Sequence, residues 1–288
     1  MNDLKRFDQV IFYGENMNEI NTRDLVFSNL NLPSIPFENK WTGGEDGIPP
    51  VFVGAEYQQR PVNLEVMMFS QDVPDYYLLQ SRIFEIFGYG TPFYIVKKYE
   101  RGKRYRAILD SNFEIGRIDP LHGKAEVSFI TEQLPFAESI GTTQDIQRDG
   151  INADSELWGF GMGLLTDEES HKYTHEAEKG DTFLIYNAGN VPIHPFEQEL
   201  RIDISNVYRS TNFFELNNLT NGSTFKITEQ VSMADVITLD GANIWINNLE
   251  GLRRTNRKYI QLDPGWNVFS IAGANSAEIM FDFPFYYK

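Results

Sequence analysis

Apolar and polar side chains alternate along most of this chain in short runs broken by Gly, Pro and Asn/Asp, the pattern of a protein built from many short β-strands. Val62, Leu64, Val66 and Met68 alternate with Asn63, Glu65 and Met67, so one face of that strand is expected to be dry. Pro92 to Val96 is a second apolar run and Tyr105-Ala107-Leu109 a third. Ala125, Val127 and Phe129, alternating with Lys124, Glu126 and Ser128, make a fourth. The period changes once. Between Asp75 and Phe87, Tyr76, Leu79, Ile83, Ile86 and Phe87 recur at helical spacing, with Pro74 ahead and Gly88 behind as a stop. Tyr77 and Phe84 form a second apolar edge, which predicts a helix buried on two sides.

Near residue 137 the pattern lapses. Residues 138–150 have no strong period and many small or polar side chains, so 138–157 is expected to link an N-terminal domain, 1–137, to a C-terminal domain, 158–288. In the second half Leu200, Ile202 and Ile204 alternate with Glu199, Arg201, Asp203 and Ser205, a strand with one solvated face. Asn221-Gly222 and Asp240-Gly241 tolerate the positive φ of tight hairpins. They are expected to pair Phe214–Leu216 with Phe225–Ile227, and Val236–Leu239 with Ile244–Ile246. A third hairpin is expected from Ile260-Gln261-Leu262 through Asp263-Pro264-Gly265-Trp266-Asn267 into Val268–Ile271, with Ile279, Phe281 and Phe283 closing the domain. That density of short strands predicts a jelly roll or a similar sandwich.

Composition and charge narrow the function. The 288 residues include 41 acidic against 25 basic side chains, a net charge of -16. An excess of negative charge repels phosphates, and the densest basic run, Lys97 to Arg106, is expected along a strand edge, so nucleic acid is not an expected partner. With 41% hydrophobic residues, 22 Phe and 14 Tyr, the chain is expected to fold around an aromatic core. It has no cysteine, which excludes disulfides, thiolate metal sites and Cys nucleophiles. No segment reaches the ~20 apolar residues that span a bilayer, and the start, Met1 to Arg6, lacks a signal-like apolar stretch. Synthesis in the cytoplasm without membrane insertion is the expectation, and the sequons at Asn218 and Asn221 carry little weight.

Candidate chemistry is sparse. His171 and His175 stand at i and i+4, but no Glu of a zinc protease lies between them and the flanks are polar, which predicts a solvated loop. His122 and His194 fall in turn-like contexts without a recognisable Ser or Asp partner. Glu197, Glu199 and Asp203 are expected on one strand face as surface charge, not as a glycosidase pair. Gly159-Phe160-Gly161-Met162-Gly163 lacks the Lys-Ser/Thr of a phosphate loop and is expected as a strand that permits close backbone approach. No enzyme activity, metal or cofactor is expected. Of the tryptophans, Trp158, Trp245 and Trp266 lie in the second domain. Trp245, flanked by Ile244 and Ile246, is expected to pack in mid-strand on the opposite face, and Trp266 to be exposed at a turn tip.

The segment Ile260-Gln261-Leu262-Asp263-Pro264-Gly265-Trp266-Asn267-Val268-Phe269 resembles the L-x-P-G-x-N turn of the distal tail proteins of long, non-contractile-tailed phages. Asn187-Ala188-Gly189-Asn190-Val191 through Pro195 is similar to that family's N-x-G … P opening of its galectin-like sandwich, and Ile237–Asp240 with Ile244–Ile246 fills its central hairpin. In the first half, Gly90–Tyr94, Arg104–Ala107, Lys124–Phe129 and Leu134–Ala137 follow the order of the family's belt domain. The resemblance implies a mainly β chain: a belt domain over 1–137, a β-sandwich with one helix and a β-hairpin, then a galectin-like or jelly-roll sandwich over 158–288. It also implies a virion structural protein whose belt domains close a hexameric ring at the tail tip. That ring would join the tail tube protein to the tail hub and dock receptor-binding or accessory baseplate proteins. The chain has no room for an inserted carbohydrate-binding module. The alternative is an adhesin, a carbohydrate-binding β-sandwich that stacks host cell-wall glycans on Trp245 and Trp266.

Overall fold

The computed structural model describes residues 9–22, 25–43, 49–88, 90–152 and 155–288; the start Met1 to Arg6 lies outside them. The chain divides into two compact units, Met1–Ala137 with Lys288, and Glu138–Tyr287.

The first unit contains β1 (Val10–Tyr13), β2 (Leu25–Asn31), β3 (Phe37–Thr42), β4 (Val51–Tyr57), β5 (Pro61–Phe69), α1 (Val73–Ile86), β6 (Phe93–Lys97), β7 (Lys103–Leu109), β8 (Gly116–Arg117) and β9 (His122–Thr131). Its main sheet runs β1-β6-β7-β9-β5-β2, with β8 beside β9. The sheet curls until Gln9 N–H donates to Phe27 O at 2.8 Å, which brings its two ends together around an aromatic cluster. Phe12 lies 4.8 Å from Phe27 and 5.3 Å from Phe87, and Phe129 lies 5.2 Å from both Phe87 and Phe93. Offset and edge-on ring pairs of this kind add about 0.5–1.5 kcal/mol each beyond the area they bury. Strict alternation in β5 buries Val62, Leu64, Val66 and Met68, and in β9 it buries Ala125, Val127 and Phe129.

Helix α1 begins where Asp72 accepts from Asp75 N–H at 2.8 Å while Asp75 accepts in return from Gln71 N–H at 2.8 Å. This reciprocal cap satisfies donors that the first helical turn leaves orphaned, and Pro74 has no donor to lose there. One face of the helix, Tyr76, Leu79 and Ile83, is buried. Burial on two sides is not observed. Tyr77, Phe84 and Leu78 are exposed, Leu78 by 70%: Phe113 meets Phe84 at 5.5 Å and Arg117 lies 5.4 Å from the Tyr77 ring centre, but neither covers that side fully.

The second unit contains β10 (Ala137–Thr142), α2 (Thr143–Asp149), β11 (Thr174–Glu178), β12 (Thr182–Asn187), β13 (Arg201–Tyr208), β14 (Phe214–Asn218), β15 (Thr224–Ile227), β16 (Ile237–Asp240), β17 (Asn243–Ile246), β18 (Leu249–Glu250), β19 (Gly265–Ala272), β20 (Ser276–Asp282) and β21 (Pro284–Tyr287). Sheets β11-β20-β13-β16-β17-β18 and β12-β19-β14-β15 form a sandwich, and β10 pairs with β21. Phe269 of one sheet meets Phe281 of the other at 5.0 Å and stacks on Phe183 at 5.5 Å. Both Asn/Asp-Gly hairpins form as expected, with Leu216 opposite Phe225 and Leu239 opposite Ile244.

Three expectations are corrected here. Residues 138–150 are not a linker. They form β10 and α2, clamped to the end of the chain as Ser139 Oγ accepts from Phe285 N–H at 2.9 Å and Thr143 Oγ1 donates to Phe281 O at 3.1 Å. The third hairpin does not pair as expected: β19 pairs with β12 and β14, and Leu262 instead bridges Ile193. The Gly159–Gly163 segment is a loop, although its close backbone approach is real. A Cβ on Gly163, at φ +71°, would sit 2.5 Å from Ala188 O.

The motifs that carry the family resemblance act as braces. Asn267 Oδ1 accepts from Asp263 N–H at 2.9 Å and its Nδ2 donates to Asp263 O at 2.8 Å, so the side chain closes the Pro-Gly turn as a backbone pair would. Asn187 Oδ1 accepts from Gly189 N–H at 3.0 Å while its Nδ2 donates to Val191 O at 3.2 Å, and a Cβ at Gly189 would collide with Tyr286 O at 2.6 Å.

Candidate functional site

In the first unit, β3 and β4 stand apart from the main sheet as a two-stranded hairpin paired only with each other. Phe37 faces Tyr57, Lys40 faces Gly54, and Trp41 faces Phe52, the skipped Val53 forming a bulge. Gln58 N–H donates to Pro36 O at 2.8 Å and Tyr57 packs edge-on against Phe136 at 5.5 Å, which fixes the base of the arm. Beyond that base the arm touches little. Trp41 stacks edge-on with Phe52 at 5.4 Å, yet Phe37, Trp41, Val51, Phe52 and Val53 are each 53–59% exposed. The ion pair along it, Lys40 to Glu56 at 2.7 Å, is exposed and contributes little. An isolated two-stranded hairpin is marginal in water, and so large a concentration of exposed apolar side chains marks an interaction surface. The exposed face of α1, Tyr77, Leu78 and Phe84, is a second such surface in the same unit.

Basic side chains of the run at 97–106 are engaged internally. Lys97 and Lys103 both bind Glu100, at 2.7 and 3.2 Å, Arg106 pairs with Glu132 and with Glu15, and the Arg104 guanidinium lies 4.3 Å from the Tyr94 ring centre. On the sheet surface, the hydrogen bond from Lys124 holds the Glu65 carboxyl below the ordinary range. His122, expected to lack a partner, meets Asp119 at 2.6 Å, and this hydrogen bond lowers the Asp119 pKa.

In the second unit the tryptophans separate. Trp158 is buried against Phe285. Trp245, expected to pack, is 39% exposed: β17 turns Ile244 and Ile246 inward, and no layer covers its other face. Trp266, expected at a turn tip, lies inside β19, half-buried and 4.9 Å from Tyr186 across the strand pair. The two do not converge on a shared platform in either sheet, since Trp245 belongs to the six-stranded sheet and Trp266 to the four-stranded one.

His171 and His175 do not share a helix face. His171 ends a single 3-10 turn and bonds Leu165 O at 2.7 Å, whereas His175 is buried in β11, stacked on Phe183 at 4.8 Å. Burial holds the His175 imidazole below its ordinary pKa of 6.5. Of the three carboxylates expected on one strand face, only Asp203 lies in β13; Glu197 and Glu199 belong to the preceding turn. Among the described residues no group of three His, Cys, Asp or Glu side chains is arranged to hold a metal ion. No described helix is long and apolar enough to cross a membrane.

Residues 26–131 match the family of the phage tail protein RIFT-related domain. Among solved structures, the Dit protein (gp 19.1) of phage SPP1, described as a paradigm of the hub adsorption apparatus in phages infecting Gram-positive bacteria, is similar over 96% of this chain and 99% of its own, at 11% identity and a TM-score of 0.66. The phage P2 baseplate in its activated conformation with Ca matches 96% of this chain and 97% of its own at 12% identity, with a TM-score of 0.40. No curated protein sequence matches. The segment 26–131 covers the arm, α1 and most of the curled sheet, and the likeness to Dit spans both units. On these grounds residues 26–131 match a phage tail protein family, and the chain as a whole shares the fold of Dit.

Proposed function

We propose that this chain is a ring-forming subunit of the phage tail tip, with 1–137 as the ring-building domain and 158–288 as a sandwich that docks other tail proteins. The observation that carries this reading is the β3–β4 arm: its apolar residues on both strands lack a cover among the described residues, and a second copy of the chain supplies one. Neighbour-to-neighbour contact of this head-to-tail kind closes into a ring when the rotation per subunit divides the circle. A hexamer is the ring proposed. The ring joins the tail tube protein to the tail hub, and the exposed face of Trp245 is one surface offered to receptor-binding or accessory baseplate proteins. In this role the protein is made in the host cytoplasm, assembles into the virion and catalyses no reaction.

Light scattering on the full chain tests the reading. The parent is expected to associate into hexamers with rising concentration, and a Trp41→Glu, Phe52→Glu double variant to remain a folded monomer. Hexamers formed equally by the double variant would overturn the assignment of the arm.

A further inference from the structure

In the second unit, three loop segments far apart in the chain close a cleft of about 300 Å³ lined by His194, Phe196, Ser223, Lys258, Tyr259 and Gln261. Small-molecule sites usually occupy ~300–1,000 Å³, so this cleft suits a single small ring. One wall is aromatic. Phe196 meets Tyr259 edge-on at 4.7 Å and His194 at 5.3 Å.

Each element of that wall is held from behind. Tyr259 donates its hydroxyl to Ala242 O at 2.9 Å. His194 N–H donates to Gln198 Oε1 at 2.8 Å, and His194 O accepts from Glu197 N–H and Gln198 N–H, both at 2.9 Å. Paired backbone bonds between Ile193 and Leu262, at 2.8 and 3.0 Å, tie the 193–198 turn to the segment carrying Gln261. Phe196 therefore presents a ring that is 60% exposed on a turn that cannot fold it inward. A ring face fixed before binding avoids the ordering cost that weakens flexible sites.

The rest of the cleft is polar and unspent. The Lys258 ammonium and the Gln261 side-chain amide have no hydrogen-bond partner among the described residues. His194 Nδ1 accepts from Phe196 N–H at 3.3 Å, which leaves Nε2–H to donate outward. An aromatic face beside a rim of donors and acceptors matches the two sides of a pyranose: its C–H face stacks on the ring while its hydroxyls bond to the rim. The lining has a single ammonium, Lys258, with no arginine or second lysine to clamp an acid group, so a neutral sugar whose hydroxyls accept from it satisfies the cleft.

From this geometry we infer that the second unit binds a neutral pyranose in the His194–Phe196–Tyr259 cleft, a site that includes neither Trp245 nor Trp266. The inference is independent of ring formation, which rests on the first unit. The experiment is saturation-transfer NMR on the full chain, with the methyl glycosides of glucose, galactose, mannose, rhamnose and N-acetylglucosamine as probes. At least one is expected to give a signal. Its affinity is expected to fall about tenfold in Phe196→Ala, to fall also in Phe196→Leu, which keeps the bulk and removes the ring face, and to be unchanged in Trp245→Ala. Silence from all five probes, or a signal that survives both Phe196 variants, would overturn the inference. Loss of baseplate-protein attachment in Phe196→Ala without any sugar signal would also overturn it and assign the cleft to a protein.

Discussion

The hairpins β3–β4 and β14–β15 have the same antiparallel pairing and opposite fates. In β14–β15 every second side chain is buried, with Phe214, Leu216, Phe225 and Ile227 turned against the facing sheet. In β3–β4 all six residues of one strand and six of seven in the other are exposed, although Phe37, Trp41, Val51, Phe52 and Val53 are as apolar as the buried set. Both pairs are antiparallel, but β14 also pairs with β19 in a sheet that packs on another, whereas β3 and β4 pair only with each other; the second layer decides burial. The first unit keeps its aromatic cluster inside the curled sheet and leaves the arm without a second layer among the described residues.

That contrast is sharpest in core truncations. Phe225→Ala, at a position with no exposed surface, is expected to cost about 3–5 kcal/mol in urea unfolding of the chain, through lost burial and a cavity. Phe52→Ala, on the arm, is expected to cost under about 1 kcal/mol in the same measurement on dilute protein, because the side chain buries little there. If Phe52→Ala destabilises the dilute chain as much as Phe225→Ala, the arm has an intramolecular cover and the comparison fails. Trp245→Ala is expected to behave like the arm, with a shift under about 1 kcal/mol and an unchanged fold by circular dichroism, since that indole faces solvent.

A smaller effect separates the units by pH. His175 is buried uncharged in the second unit, whereas in the unfolded chain it takes up a proton near its ordinary value of 6.5. The unfolded state then binds more protons than the folded one, so this contribution is complete above that value and declines as pH falls below it. His175→Gln is expected to flatten the fall in urea midpoint between about pH 7 and about pH 5, and a variant of the exposed Lys40–Glu56 pair is not.

Much of this architecture was legible as a pattern. β5 and β9 are half-buried strands whose alternation survives intact, β13 keeps it as far as a bulge between Ser205 and Tyr208, and the two Asn/Asp-Gly hairpins fall where their turn residues demand. Helix α1 was legible too, through its spacing, Pro74 and Gly88, but an apolar edge does not say whether its cover lies within the same molecule. The arm carries the same ambiguity: Val51-Phe52-Val53 is a short apolar run, and nothing local to it says whether its cover lies in the same molecule. The misread linker has another cause: the groups that order residues 138–150 are the carbonyls and amides of residues 281–285, supplied from the far end of the chain. The cleft of the second unit was illegible for the same reason, since His194, Ser223 and Tyr259 are brought together only by the turns between strands. Its one local signal was an aromatic, Phe196, beside a proline in a polar turn.

The central claim is that the arm is covered by another subunit, and the absence of cysteine from the sequence permits a direct measurement. A single Val53→Cys on the arm and, as control, a single Leu219→Cys in the second unit are both at positions more than half exposed in the monomer. In dilute protein the two thiols are expected to react with a maleimide at similar rates. In the assembled ring, Val53→Cys is expected to be protected while Leu219→Cys stays reactive; equal reactivity of the two in the assembled ring would contradict the account.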